Sequence, residues 1–155
     1  MNDLDKKILL ELLRDADQPM VDIAEKVDAS RQTVSKKIKK FKESELIKDL
    51  KVKIDPEKIG LKVRAFVFLQ EAPQEEVRER IEKEISKMPN VSKFFRLFGR
   101  YSGILEVWSG GREDLSSLVK KIHELEGIKE TETFIVHDVL KNRPENPLIE
   151  FLGDE

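Results

Sequence analysis

Apolar residues recur at helical spacing near the start of the chain. Leu4, Ile8 and Leu12 form a row that Leu9 and Leu13 widen, so this stretch reads as an amphipathic helix. Asp3 or Asp5 can cap or charge its start. The pattern breaks at Asp15-Ala16-Asp17-Gln18-Pro19. Pro19 suits the first turn of a second, short helix, with Asp17 or Gln18 near its N-cap and Val21, Ile23, Ala24 and Val27 turned inward. Asp28-Ala29 turns the chain, and Ser30 is a good N-cap for a third helix whose buried row is Val34, Ile38 and Phe41. Two short helices, a tight turn and a third helix starting at a Ser cap predict a helix-turn-helix. Ala24 fits that reading because a small residue lets the helices cross closely.

The period changes further along. Lys51, Val52, Lys53 and Ile54 alternate as in a strand, which reads as a linker strand rather than a wing. Asp55-Pro56 and Gly60 punctuate a boundary. Ala65 to Leu69 is a short apolar run of strand type. Pro73 opens a helix holding Val77, Ile81 and Ile85, ended by Pro89-Asn90. Val91 to Phe98 and Ile104 to Trp108 read as strands joined by Gly99-Arg100-Tyr101-Ser102-Gly103. Gly110-Gly111 precedes a helix over Arg112 to Glu126, Gly127 ends it, and Phe134 to Leu140 reads as a fourth strand. The order β-α-β-β-α-β predicts a ferredoxin-like split arrangement. The fold class is therefore α+β: a helix-turn-helix (winged-helix-like) domain over 1–50, a linker strand over 51–61, a ferredoxin-like domain over 62–142 and a tail over 143–155.

These strands are apolar on both faces. Phe66 and Phe68 oppose Ala65, Val67 and Leu69, and Phe94 and Phe98 oppose Phe95 and Leu97. An antiparallel sheet with one wet face should alternate cleanly, so the second face is expected to be covered by another subunit. If the connecting hairpin is centred on Tyr101, Arg96 lies opposite Glu106 and pairs with it. The tail Pro147 to Leu152 is apolar for a terminus and can either dock or fray.

Charge sharpens the picture of the first domain. Charged residues make up 39% of the chain, yet the formal net charge is only −2, so nucleic-acid contact has to come from a local patch. One exists: Arg31, Lys36, Lys37, Lys39, Lys40 and Lys42 lie on the third helix with no acid among them. With Val34 at zero and about 100° per residue, Ile38 and Phe41 fall within roughly 40° of the inner face. Gln32, Lys36, Lys39 and Lys40 lie within about 60° of the opposite direction. The N-terminal part of a recognition helix reaches base edges. Gln32, Thr33 and Lys36 are therefore assigned to base readout, and Ser30, Arg31, Ser35, Lys37, Lys39 and Lys40 to the cap and phosphate contacts. The partner this implies is double-stranded DNA.

Other classes recede. The chain holds no cysteine, which excludes disulfides and thiolate metal sites. No apolar run approaches the roughly 20 residues of a membrane span, and the start lacks a signal peptide's basic and apolar regions. The cytoplasm is the simplest location. The balance of Lys and Glu points to a thermophilic source. His123 and His137 are the only histidines, and neither belongs to a reacting constellation, so no enzyme, metal or cofactor is expected. Two further readings stay open: a nonspecific architectural DNA binder, and a ligand-binding regulatory module with no DNA function. The basic third helix speaks against the latter.

The order of these pieces resembles the leucine-responsive regulator/AsnC (feast/famine) family of transcription regulators. The marks are Leu4-Asp5-Lys6-Lys7-Ile8-Leu9, Ile23-Ala24 with Val27 and Ser30, Ile54-Asp55-Pro56 with Ile59-Gly60, and the Gly99 to Tyr101 turn. The resemblance implies a homodimer built through the C-terminal sheet, assembly into octamers or larger rings, and a small effector held near Gly99, Arg100, Tyr101 and Ser102. Two positions depart from the family pattern: Ser102 stands where an Asp is usual, and Glu45 where a Gly is common. Without that Asp, an amino group has no evident anion at the hairpin, so an anionic metabolite is expected rather than a common amino acid.

Overall fold

The computed structural model describes residues 1–153 and divides into two units, residues 1–53 with those from Lys141 onward, and Ile54–Leu140. In the first unit, α1 (Asp3–Arg14), α2 (Met20–Lys26) and α3 (Arg31–Glu43) pack around Ile8, Leu9, Ile23, Ala24, Val27, Val34, Ile38 and Phe41. These are the inward rows that the periodicity marked, except that Val21, at the first turn of α2, is exposed and outside the core. Asn2, rather than Asp3 or Asp5, is the N-cap of α1. It forms a capping box in which the Asn2 side chain accepts from the Asp5 N–H and the Asp5 carboxylate accepts from the Asn2 N–H. Pro19 is itself the N-cap of α2. Gln18 instead donates to the Glu11 and Asp15 carbonyls and so closes the C-terminus of α1.

The α2–α3 turn takes its shape from Asp28, whose φ of 52° is left-handed. Asp tolerates that region better than most residues. It lets the Ala29 N–H reach the Ala24 carbonyl, and Ser30 then caps α3 through the Thr33 N–H. The tail docks rather than frays: α6 (Asn146–Gly153) lies along α1, with Leu152 against the helix-turn-helix core.

In the second unit, β1 (Val63–Glu71), α4 (Glu75–Ile85), β2 (Val91–Arg96), β3 (Gly103–Ser109), α5 (Arg112–His123) and β4 (Ile128–Ile135) follow the expected βαββαβ order. The sheet runs β2-β3-β1-β4 and every pairing is antiparallel. Its inner face sets Ala65, Val67, Leu69, Leu105 and Val107 against Ile81 and Ile85 of α4 and Leu115, Leu118 and Ile122 of α5. Gly127 joins α5 to β4 with φ 100°, and a Cβ there would run into the Val77 side chain of α4. Only glycine fits both the backbone conformation and the space.

Three expectations need correction. Residues 51–54 form no strand, because an alternating stretch becomes one only with a ladder partner, and none is offered to it among the described residues. The fourth strand is Ile128–Ile135, not Phe134 to Leu140. It is a sheet edge, where polar residues such as Glu130, Thr131, Glu132 and Thr133 are suited to solvent, whereas the more apolar segment beyond it is not in the sheet. Finally, Arg96 pairs with Gly103, not Glu106. The strand ends at Arg96 and the Leu97 N–H donates to the Ser102 carbonyl, so the hairpin is centred between Gly99 and Arg100 rather than on Tyr101, and Lys93 opposes Glu106. Glu106 is nonetheless ion-paired, by Arg64 and by Lys93 at 3.0 Å, while Arg96 pairs with Glu82 of α4.

Candidate functional site

The α3 helix separates its residues as the angular reading required. Val34, Ile38 and Phe41 are buried, while Arg31, Gln32, Thr33, Ser35, Lys36, Lys39 and Lys40 are exposed. Arg31, Gln32, Ser35, Lys36 and Lys39 border one open depression on this face. The N-terminal turn of α3 adds the positive end of the helix dipole beside Arg31, so both charge and dipole favour an anion there. A polyanion with polar edges, which is what a DNA groove presents, matches this surface.

Two assigned residues behave differently. Lys37 is only half-buried and donates to the Asp5 carboxylate at 2.7 Å, bridging α3 to α1. That hydrogen bond, with the backbone contribution of Asn2, holds the Asp5 carboxyl below its ordinary value of 3.8. Lys37 is thus engaged in holding the fold and is not a free phosphate ligand. Thr33 shares its hydroxyl with Ser30 at 2.8 Å, which draws both hydroxyls into the cap. Lys39 has only a loose, exposed ion pair with Glu43 at 3.7 Å, of little energetic weight.

The hairpin residues Gly99, Arg100, Tyr101 and Ser102 do not converge on one point. Arg100 reaches Glu130 of β4 at 3.4 Å and stacks over the Tyr101 ring at 5.0 Å. The Tyr101 hydroxyl donates to Glu132, which raises the phenol's pKa above its ordinary value of 10.0. These two fasten the hairpin to the outer side of the sheet. Ser102 turns the other way. Its hydroxyl accepts from the Glu71 N–H at 3.0 Å and donates to the Leu69 carbonyl at 3.2 Å, tying the hairpin to β1.

Ser102 also borders a cavity of about 270 Å³ formed with Glu71, Glu82, Ser86, Phe94 and Arg96. Sequence reasoning missed all but Ser102. A signal was present: Glu71 continues the inward row of Ala65, Val67 and Leu69 at strand period, and an acid on a buried row calls for a function. The cavity's acids, Glu71 and Glu82, outnumber its single base, Arg96. The anionic ligand expected from the sequence does not suit it.

On its outer face the sheet carries Phe66, Phe68, Ile104, Trp108 and Phe134 around the Arg64–Glu106 pair. The Phe134 ring meets Phe68 edge-on at 5.6 Å, and the Arg64 guanidinium lies 5.5 Å from the Phe66 ring and 5.4 Å from that of Trp108. Phe95 and Phe134 are about half exposed. His123 and His137 are exposed and on separate parts of the chain, and no described residues gather in a metal-holding cluster. Among the described residues no helix is long and apolar enough to cross a membrane.

A helix-turn-helix with a basic outward helix, coupled in one chain to a βαββαβ domain, defines a DNA-binding regulator with a ligand-type domain. Comparison with known proteins agrees along nearly the whole chain. Residues 1–48 match winged helix-turn-helix DNA-binding domains and residues 64–146 match the Lrp/AsnC ligand binding domain. The chain belongs to the Lrp/AsnC family of transcription regulators. It is 25% identical to the HTH-type transcriptional regulator FL11 of Pyrococcus furiosus, over 96% of this chain and 97% of that one. It is 31% identical to an HTH-type transcriptional regulator of Pyrococcus horikoshii, over 89% of this chain and 92% of the relative. Among solved structures, an AsnC family regulator from Agrobacterium tumefaciens superposes with a TM-score of 0.88 at 28% identity, over 96% of this chain and 97% of that one. The regulator NMB0573 of Neisseria meningitidis, solved as a complex with L-Met, superposes with a TM-score of 0.90 at 21% identity, over 96% and 97% of the two chains.

Proposed function

We propose that this chain is a sequence-specific DNA-binding transcription regulator that acts as a homodimer or a larger ring and answers to a small-molecule effector. One observation carries the reading: α3 buries Val34, Ile38 and Phe41 and turns Gln32, Lys36, Lys39 and Lys40 outward. Gln32 and Lys36, near the N-terminus of α3, read base edges, Gln suiting adenine and Lys the acceptors of guanine. Arg31, Ser35, Lys39 and Lys40 hold phosphates and set the register. The protein does not act as an enzyme, and its place is the cytoplasm.

The half-exposed aromatic face of the sheet supports the dimer. Phe66, Phe68, Trp108 and Phe134 form a contiguous apolar surface of the kind that marks an interface, and a second copy of the same sheet covers it. Two recognition helices then address two half-sites. The complex of the Neisseria regulator with L-Met supports an effector at the second domain, and a ligand that favours one assembly state shifts DNA affinity through it.

Selecting bound duplexes from a random pool tests this. A dyad-symmetric consensus is expected, with half-sites about one DNA turn of 10–10.5 base pairs apart or a multiple of it. Recovery of unrelated sequences with no consensus would leave a nonspecific architectural binder instead.

A further inference from the structure

The first unit carries a cleft of about 630 Å³. Leu12 and Leu13 of α1, Leu46 and Leu50 of the segment after α3, and Leu148 and Phe151 of α6 line it. Of these, Leu46, Leu50, Leu148 and Phe151 are each more than half exposed. Exposed apolar residues scattered singly need no explanation, but a contiguous set marks a binding surface. Clefts of about 300–1,000 Å³ with a mainly apolar lining and a few polar groups are the usual form of a small-molecule site. The lining reaches the recognition helix, because the Ile47 N–H donates to the Phe41 carbonyl near the end of α3 at 3.0 Å. Charge narrows the ligand. The charged residues lining the cleft are Lys48 and Asp49. Asp49 is paired with Lys51 at 2.8 Å, whereas Lys48 forms no ion pair among the described residues. An anionic head therefore gains from Lys48, and a cationic head finds its acid already engaged. A second copy would present the same concave surface, and an isologous contact has to be self-complementary, so a slender ligand fits the cleft better.

We propose that this cleft is a small-molecule site of the DNA-binding unit and takes a free aliphatic carboxylate. The chain lies on the leucines and Phe151, and the carboxylate accepts from the Lys48 ammonium. Burial of the chain supplies the affinity, and Lys48 selects the head group. The site belongs to the first unit alone, so it neither needs the effector reading of the second unit nor replaces it.

The test uses the full-length protein, with thermal shift and calorimetry against octanoate, octan-1-ol and acetate. Octanoate is expected to bind and raise Tm, octan-1-ol to bind more weakly, and acetate, which has no chain, to be inert. Lys48→Gln should weaken octanoate by about threefold, as an exposed ion pair allows, and leave octan-1-ol unchanged. Leu50→Asp, which sets a charge in the apolar lining, should weaken both ligands at least about tenfold. Where Leu50→Asp lowers the ligand-free Tm, Leu148→Glu on α6 decides in its place. Silence from octanoate with the wild-type protein would overturn the proposal, as would undiminished binding in both Leu50→Asp and Leu148→Glu. Equal weakening of octanoate and octan-1-ol by Lys48→Gln would overturn the role given to Lys48. Self-association in sedimentation that Phe151→Ser abolishes, with octanoate silent, would give the cleft to a second copy instead. None of these results touches the DNA-binding reading, which is measured on duplexes.

Discussion

Replacing Lys36, Lys39 and Lys40 by Gln while keeping Lys37 separates the lysines that face solvent from the one the fold has already engaged. The three are exposed, and Lys39 alone among them has an ion pair, the loose one with Glu43 at 3.7 Å. Lys37 is 25% exposed and bonded to Asp5 at 2.7 Å. Each phosphate neutralised contributes about 0.9 to the slope of log affinity against log salt. With two recognition helices on the duplex, losing these three lysines from each flattens the slope by about 5 and weakens binding by about four orders of magnitude at ~0.15 M salt. Lys37→Gln should leave the slope unchanged and cost about 1 kcal/mol of stability, since the pair it breaks is only partly buried. Fluorescence anisotropy of a labelled duplex across a salt series measures the slope, and urea unfolding measures the stability. An unchanged slope in the triple variant, or a loss of slope with unchanged stability in Lys37→Gln, would refute the division of labour on α3.

Acid sensitivity follows from Asp5 and Glu106. Burial raises the Glu106 pKa, but hydrogen bonds from Lys93, Arg64 and Ser92 outweigh it and leave it below its ordinary 4.5, and Asp5 is likewise depressed. A depressed folded-state pKa gives stability that is present above the unfolded value and lost as pH falls through the folded one. The urea midpoint should therefore hold above about pH 4.5 and decline below it, with a shallower decline in Glu106→Gln. Gly127→Ala should cost about 2–4 kcal/mol by thermal or urea unfolding, through backbone strain and the collision with Val77. Phe134→Lys, at a half-exposed position of the outer sheet face, should raise the dimer dissociation constant at least about tenfold in sedimentation, and an unchanged constant would move the interface elsewhere.

Much of this was legible in the chain, because helices with one buried stripe repeat their apolar residues at a period that nothing else imitates. The rows of α1 and α3 follow from that, and that of α2 apart from the exposed Val21, while the Ser30 cap follows from its hydroxyl. The βαββαβ order was legible too, yet β4 was not where the apolar run suggested. An edge strand gains its ladder from one neighbour and keeps polar side chains, so Lys129 to Thr133 carried no apolar signal. The Glu106 partnership was read as real but given to the wrong arginine, because the hairpin turns between Gly99 and Arg100 rather than at Tyr101, which moves every pairing of β2 along β3. Glu45, where the family often has glycine, adopts φ 58°, so the backbone bend persists and a non-glycine residue bears its strain. The role of Lys37 depends on where α1 meets α3, a tertiary distance that no local pattern encodes. The cavity was half legible: Ser102 was singled out for the acid it lacks, while Glu71 went unnoticed on its strand.

The central claim is that α3 reads sequence, and competition between a selected operator and random duplex at one fixed salt concentration tests it most directly. The account predicts that the operator binds at least about a thousandfold more tightly, as specific recognition does. It also predicts that Gln32→Ala narrows the ratio by about 1–3 kcal/mol through one base position of each half-site. Equal affinity for both duplexes, unmoved by Gln32→Ala, would contradict it.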